Sequence, residues 1–373
     1  MSGLVGRTCD YNKFHSQNYL VCVYSIRVNN NSHLFIYMEH RNLCRIVAFC
    51  EAIKNRGNKV LLITDENIAL IYFEFIKELG FPYLIIPAGE KEKSRERKAA
   101  IEDHLLKNGY SRDTELIAFG GGVISDLVGF VAATFMRGVP FSIIPTTITC
   151  FVDASIGGKN GINTHMGKNL IGTFYAPIDV CLDQVFLKTL PKDLYEEQFS
   201  EVIKIALTSD KELFFSMENP ILRARELKIQ VVEKDPMDTN ARAILNFGHT
   251  FAHAYEKVSD YKVSHAKAVL VGIYFESLLS YCLHILKEEE WRIIQRYLLS
   301  YPQKIFPLDL DKEAIYRAMC LDKKNKEGKP CFILLGKIGS IHQIQDKITH
   351  QVTRELIIGT LEKMCKEEEC FVG

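Results

Sequence analysis

The chain has no surplus of either charge: 46 Lys and Arg stand against 46 Asp and Glu. A general polyanion-binding surface is not expected, because nucleic-acid binding draws on a cationic excess that releases counterions. A local basic pocket is still compatible with that balance. No run approaches the ~20 apolar residues needed to span a bilayer, so neither nucleic acid nor membrane is expected as a partner. The opening stretch MSGLVGRTCDYNKFHSQN lacks an apolar signal-peptide core. The 11 cysteines form no CxxC pair, and several sit in apolar runs such as LVCVY and DVCLD. This predicts reduced thiols and a cytoplasmic location rather than a disulfide framework.

With 47% hydrophobic and 25% charged residues the composition is globular, which excludes disordered and collagen-like chains. A length of 373 residues accommodates two domains at ~150 residues each. After a strand-like pair (YLVCVYSIRV, HLFIYM), residues 59–147 alternate apolar runs (KVLLIT, YLIIPAG, ELIAFGGG, FSIIPTT) with helical stretches near 67–79, 95–106 and 123–135. Such alternation predicts a parallel sheet covered on both faces. Its strands would present Thr64 to Asn67, Pro87 to Glu90, Gly120 to Gly122 and Pro145 to Thr147 at their carboxyl ends, where ligands bind in this architecture. From about residue 191, apolar residues recur at helical spacing. The fold class expected is therefore α/β: an N-terminal Rossmann-like parallel-sheet nucleotide-binding domain over 1–190 and a mostly α-helical metal- and substrate-binding domain over 191–373.

Three constellations carry possible chemistry. The turn Gly120-Gly121-Gly122 follows an apolar strand and opens a helix. It reads either as a tight strand–helix turn or as a phosphate cradle at a helix N-terminus. The loop from Gly157 to Asn169, preceded by Asp153, gathers Lys159, Lys168, glycines and amides. It reads as an anion-holding loop or a solvated hairpin. Glu201, His249, His253 and His265 form the third. His249 and His253 are four apart, so they share a helix face. Thr250 occupies the place of the HExxH glutamate, which argues against a zincin peptidase. Imidazoles with one carboxylate still match a catalytic zinc site with an open position.

GGGVISDLVGFVAATFMRG, PTTITCFVDASIGGKNGINTHMGKNLIGTFYAP, FLKTLP, SEVIK and RAILNFGHTFAHA, in this order and spacing, resemble the 3-dehydroquinate synthase family of sugar phosphate cyclases over about residues 59–340. The resemblance implies a phosphate-eliminating lyase of the shikimate pathway that uses NAD and a divalent metal, zinc or cobalt, on 3-deoxy-arabino-heptulosonate 7-phosphate. It implies metal ligation by Glu201, His249 and His265, an acid/base role for His253, and catalytic positions at Lys159, Lys204, Arg242 and Asn246. Asp153, Asn169, Lys228, Arg137 and, in a late loop, Lys324 would meet substrate. Arg137 would reach the phosphate of a neighbouring subunit, which implies a homodimer. For NAD the implied positions are Asp65, Asn67, Ala88, Gly89, Glu90, Lys91, Glu92, Lys93, Gly121, Gly122, Val123, Ile124, Ser125, Asp126, Thr146, Thr147, Lys159, Lys168, Phe186, Leu187, Lys188 and Thr189.

Four positions depart from the family pattern: Asn160 for a threonine, Pro236 for a glutamate, Ala252 for a glycine and Lys267 for a carboxylate. Lys267 is expected to alter support of the neighbouring ligand, His265. The rival readings are a sister cyclase, of the 2-deoxy-scyllo-inosose or valiolone type, and a non-catalytic paralogue that binds NAD or metal. His253 favours the dehydroquinate branch over valiolone-type relatives, which usually carry proline at that place.

Overall fold

The structure is a computed structural model, and it describes residues 21–29, 32–216, 218–301, 311–321 and 329–372. The expected strand pair is an antiparallel hairpin of β1 (Val21–Asn29) and β2 (Ser32–Glu39), followed by α1 (His40–Asn55). The chain then alternates β3 (Lys59–Asp65), α2 (Glu66–Leu79), β4 (Tyr83–Ile86), α3 (Arg95–Lys107), β5 (Thr114–Gly120), α4 (Gly122–Thr134) and β6 (Phe141–Pro145). A hairpin of β7 (Lys159–Thr164) and β8 (Gly167–Phe174) precedes the short strand β9 (Asp179–Val180). β3, β4, β5, β6 and β9 form one parallel sheet in the order β4-β3-β5-β6-β9. Every residue of β5 and β6 is buried, which explains their largely apolar text; the buried polar exceptions are paired, Glu115 accepting from Ser142 (2.9 Å) and Arg56 (2.6 Å).

Helices dominate thereafter: α5 (Lys192–Gln198), α6 (Ser200–Ser209), α7 (Lys211–Ser216), α8 (Pro220–Lys234), α9 (His249–Val258), α10 (His265–Cys282), α11 (Glu288–Leu299) and α12 (Lys312–Cys320). Small antiparallel pairs follow, β10 (Cys331–Ile333) with β13 (Thr349–Gln351) and β11 (Leu335–Lys337) with β12 (Ser340–Ile341), and then α13 (Arg354–Val372).

The chain divides into two compact units. The first holds Met1–Thr146 and Asn160–Thr189, the second Thr147–Lys159 and Leu190–Gly373. A single boundary near 190 does not describe this division, because 147–159 belongs with the helical unit. Within that unit Arg225 of α8 donates to the Phe151 carbonyl (2.7 Å) and the Ser155 hydroxyl (2.9 Å), and these contacts hold the segment there. The core of the first unit is aromatic: Tyr72, Phe75, Phe119 and Phe186 pack with centroid separations of 5.2–6.4 Å. In the second, α10 is buried over most of its length, so it reads as apolar on all sides. Each such Leu, Ile or Phe contributes about 1.5–3 kcal/mol of burial.

Candidate active site

In the first unit the carboxyl ends of the parallel strands carry the residues expected at a nucleotide. Asp65 caps α2, accepting from the Ile68 amide at 3.0 Å, and burial raises its carboxyl above the ordinary value. Asn67 follows in the first turn of that helix. Ala88 and Gly89 lead into a 3₁₀ turn over Glu90–Glu92. The side chain of Glu90 accepts from Asn163 (2.7 Å) and Glu92 from Arg97 (2.7 Å), while Lys91 lies in the same turn. Lys93, 4% exposed, forms an ion pair with Asp126 of α4, so these two expected positions meet each other.

The glycine turn ends β5 and starts α4. A Cβ at Gly120 would lie 2.8 Å from the Ile124 side chain, so the close approach itself requires glycine. Gly121 caps α4 without a side-chain bond, and the first turn runs through Gly122, Val123, Ile124 and Ser125. Its amide groups are therefore the anion-attracting kind found at helix N-termini. Thr146, after β6, is 2% exposed, and its hydroxyl has no partner among the described residues. An orphaned buried hydroxyl at a strand end fits a ligand that supplies the missing bond. Phe186 and Leu187 are core side chains, so only their backbone is available to a ligand, whereas Lys188 is exposed. The Thr189 hydroxyl bonds to Tyr72 at 2.8 Å. Lys168 and Asn169 lie on β8; Asn169 is left-handed (φ 55°), and its amide donates to Asn163. Met136 and Arg137 are also left-handed, at φ 51° and 68°, and the Arg137 side chain is exposed.

The second unit builds a metal-compatible centre. Glu201 of α6, His249 at the start of α9 and His265 at the start of α10 place one ligand atom each within 4.8 Å of one another. Glu201 is 2% exposed, and its Oε1 stands 3.8 Å from His249 Nε2. The Nδ1 atom of His249 faces the Phe247 carbonyl at 3.1 Å, and that of His265 faces Glu256 at 3.0 Å. The His253 ring lies 5.6 Å from His249 and stacks toward His265 at 6.2 Å. A carboxylate with two imidazoles fits zinc or cobalt and leaves coordination positions open.

Cations surround this centre. Buried Lys204 pairs with Glu201, and buried Lys228 pairs with Asp153, whose carbonyl also accepts from Lys228 at 2.6 Å. Burial pushes the Asp153 carboxyl up, but Lys228 and Lys204 outweigh it and hold the group well below the ordinary range. Asp153 sits in a π-helical turn over Cys150–Ala154, an irregularity frequent at functional sites. Thr147 of this segment accepts from the Cys150 amide at 3.2 Å.

Arg242 is 4% exposed and donates to the carbonyls of Gly157 and Pro236, each at 3.2 Å. A Cβ at Gly157 (φ 87°) would overlap that guanidinium, so the glycine gives the arginine its place. Lys159 pairs with Asp238, and Asn246 ends the 3₁₀ turn over Ala241–Asn246 just before Phe247. Lys324 lies outside the described residues.

The departures acquire structural roles. Asn160, 8% exposed, donates to the Tyr175 carbonyl (2.6 Å) and fills the space left by Gly129, so it is a packing residue. Pro236 supplies a carbonyl to Arg242, and Ala252 is fully buried. The backbone amide of Lys267 donates to the α10 cap, Ser264. Sequence reasoning overlooked Glu256 and Asp235. Asp235 accepts from the amides of Thr239, Asn240 and Arg242 and so shapes the loop that delivers Arg242. Asp235 keeps the usual aspartate of the pair in which Pro236 departs, and nothing in the amino-acid sequence marks Glu256 as a neighbour of His265.

Comparison with known proteins places this geometry in a family. The 3-dehydroquinate synthase N-terminal profile matches residues 83–197, and the 3-dehydroquinate synthase C-terminal profile matches 198–325. The 3-dehydroquinate synthase of Alkaliphilus oremlandii is 41% identical over 297 residues, covering 74% of this chain and 82% of that protein. Among solved structures, a 2-deoxy-scyllo-inosose synthase with carbaglucose-6-phosphate, NAD+ and Co2+ superposes with a TM-score of 0.76. It is 22% identical and covers 84% of this chain and 94% of its own. A 2-epi-5-epi-valiolone synthase from Streptomyces hygroscopicus with NAD+ and Zn2+ gives a TM-score of 0.73 at 24% identity, over 83% and 92% of the two chains. These two likenesses establish the fold. The chain belongs to the 3-dehydroquinate synthase family.

Proposed function

We propose that this chain is a 3-dehydroquinate synthase, a carbon–oxygen lyase that converts 3-deoxy-D-arabino-heptulosonate 7-phosphate to 3-dehydroquinate and inorganic phosphate. The observation that carries this reading is the Glu201–His249–His265 donor set beside buried Lys204 and Lys228 and the buried guanidinium of Arg242. A substrate bearing a carboxylate, a phosphate and vicinal hydroxyls needs such a concentration of cations beside a metal.

NAD, when bound, supplies transient oxidation of a ring carbinol and its reversal, and the divalent ion supplies Lewis acidity at the substrate oxygens. The chain's own groups do the rest. Glu201, His249 and His265 would hold the ion. Lys204 balances the Glu201 carboxylate, and buried Lys228 keeps the half-buried Asp153 carboxylate charged and fixed in place. Lys159 and Arg242 would bind the anionic ends of the substrate, with Asn246 orienting a hydroxyl. His253, one helical turn from His249, would hold and move the proton exchanged during phosphate elimination. The amides at the start of α4 and the Thr146 hydroxyl would receive the dinucleotide. Phosphate leaves and the cofactor ends as it began, so no external electron acceptor enters the balance.

We also propose a homodimer in which Arg137 serves the neighbouring subunit, and a cytoplasmic site of action. Exposed Arg137 and the buried cysteines Cys50, Cys150 and Cys181, which stand outside any disulfide, support these readings. Among the described residues no helix is long and apolar enough to cross a membrane.

The test is phosphate release with NAD and zinc or cobalt from three sugars: 3-deoxy-arabino-heptulosonate 7-phosphate, sedoheptulose 7-phosphate and glucose 6-phosphate. Release from the first alone, with dehydroquinate formed, is expected. Release from either of the others reassigns the chain to a sister cyclase. Binding of NAD and metal without release from any sugar marks a non-catalytic paralogue.

A further inference from the structure

Glu256 of α9 is 2% exposed. A buried carboxylate is costly unless hydrogen-bonded. It accepts a hydrogen bond from Nδ1 of His265, at 3.0 Å. Glu256 is seven residues beyond His249, which returns it to nearly the same face of α9 two turns later. That face therefore offers one imidazole of the donor set and the carboxylate that grips another.

The consequence follows from imidazole chemistry. A neutral ring carries one proton, and a carboxylate at Nδ1 holds the proton on that nitrogen. The lone pair is then left on Nε2. His249 is arranged the same way by a weaker acceptor, since its Nδ1 faces the Phe247 carbonyl at 3.1 Å. Both rings thus keep Nε2 for an ion, and the His265 ring has a full negative charge behind it. A carboxylate behind a histidine ligand fixes its orientation and raises its basicity. Lys267, the expected source of altered support, contributes its backbone amide to the helix cap; the carboxylate arrives from α9.

We propose that Glu256 is a positioning residue for the metal centre: it fixes His265 as the Nδ1–H tautomer and strengthens its Nε2 as a ligand. This role rests on the metal reading given under Proposed function.

The test is zinc affinity by competition with a chelator, measured on the full chain for wild type, Glu256→Gln and Glu256→Ala. NAD affinity and apo-protein melting are followed alongside. Glutamine keeps an acceptor for the ring N–H and removes the charge. The expected result is a Glu256→Gln protein that melts and binds NAD like wild type but holds zinc roughly 10–100-fold more weakly. Unchanged zinc affinity in that variant, beside normal binding by wild type, overturns this role alone. Failure of wild type to bind zinc overturns the metal reading together with it. Should the variants not fold, nitrogen-15 NMR of the wild-type histidines decides. A proton on Nδ1 of His265 with and without zinc supports the role, and a proton on Nε2 in the apo-protein overturns it.

Discussion

Gly272 of α10 lies directly against the carbonyl of Gly248, the residue that caps α9 and precedes His249. A Cβ at Gly272 would overlap that oxygen, and one at Gly248 would lie 2.9 Å from the Ile273 amide nitrogen. One turn on, Glu276 accepts from the Gly248 amide at 2.8 Å. The contact between these glycines sets where α9 begins, and therefore where His249 stands relative to α10 and His265. Gly248 also needs its left-handed φ of 81°, which a side chain would strain.

Gly272→Ala should accordingly displace α9 rather than merely fill space. Overpacking against backbone typically costs about 1–3 kcal/mol. We expect a lowered melting temperature and a loss of zinc affinity in the same variant. Thermal melting with a zinc titration checks this; a wild-type melt with wild-type affinity would show that the helices can separate at no cost.

His249→Ala should lose metal and turnover together. Metal content by elemental analysis after dialysis, with the phosphate-release assay, measures both. Stoichiometric metal with full turnover would remove His249 from the ligand set.

Thr146→Val separates binding from stability. The hydroxyl is buried and without a partner among the described residues, so replacing it by a methyl group removes an unsatisfied polar atom. Stability should hold or rise by up to about 1 kcal/mol, while NAD affinity falls several-fold. Calorimetric NAD titration and urea unfolding read the two effects, and equal NAD affinity would place the dinucleotide elsewhere.

Acid stability follows from two depressed carboxyls. Three backbone amides hold Asp235 below the ordinary carboxylate range, and Asp153 is held low by its lysines against the effect of burial. A group with a folded value below its unfolded one stabilises fully above the unfolded pKa, ~4, and loses that contribution as pH falls toward the folded value. Stability should therefore be level through neutral pH and decline below about pH 4. Asp235→Asn should flatten part of that decline and raise the KM for substrate by loosening Arg242. Melting between pH 3 and 7 checks the first effect and steady-state kinetics at pH 7 the second.

The sequence legibly carried the alternation of the first half, because strands buried on both faces are mostly apolar. The ends of those strands, the glycine turn and the helical character of the second half were equally readable from local pattern. The residues implied for the metal could be named because the histidine spacing and the family motifs lie within short stretches. What local text could not reveal was which groups meet across elements. The return of 147–159 to the helical unit depends on Arg225, far along the chain, reaching Phe151 and Ser155.

Likewise Lys93 meets Asp126, Asn160 fills the gap beside Gly129, and Glu256 reaches His265 from a different helix. The sequence by itself determined the elements, their hydrophobic faces and the kind of chemistry available, since those depend on neighbours within a turn or a strand. Tertiary structure alone decided which carboxylate supports which imidazole and which glycines let the helices touch. Those choices depend on close packing between elements distant in the chain, where a single Cβ is enough to forbid the contact.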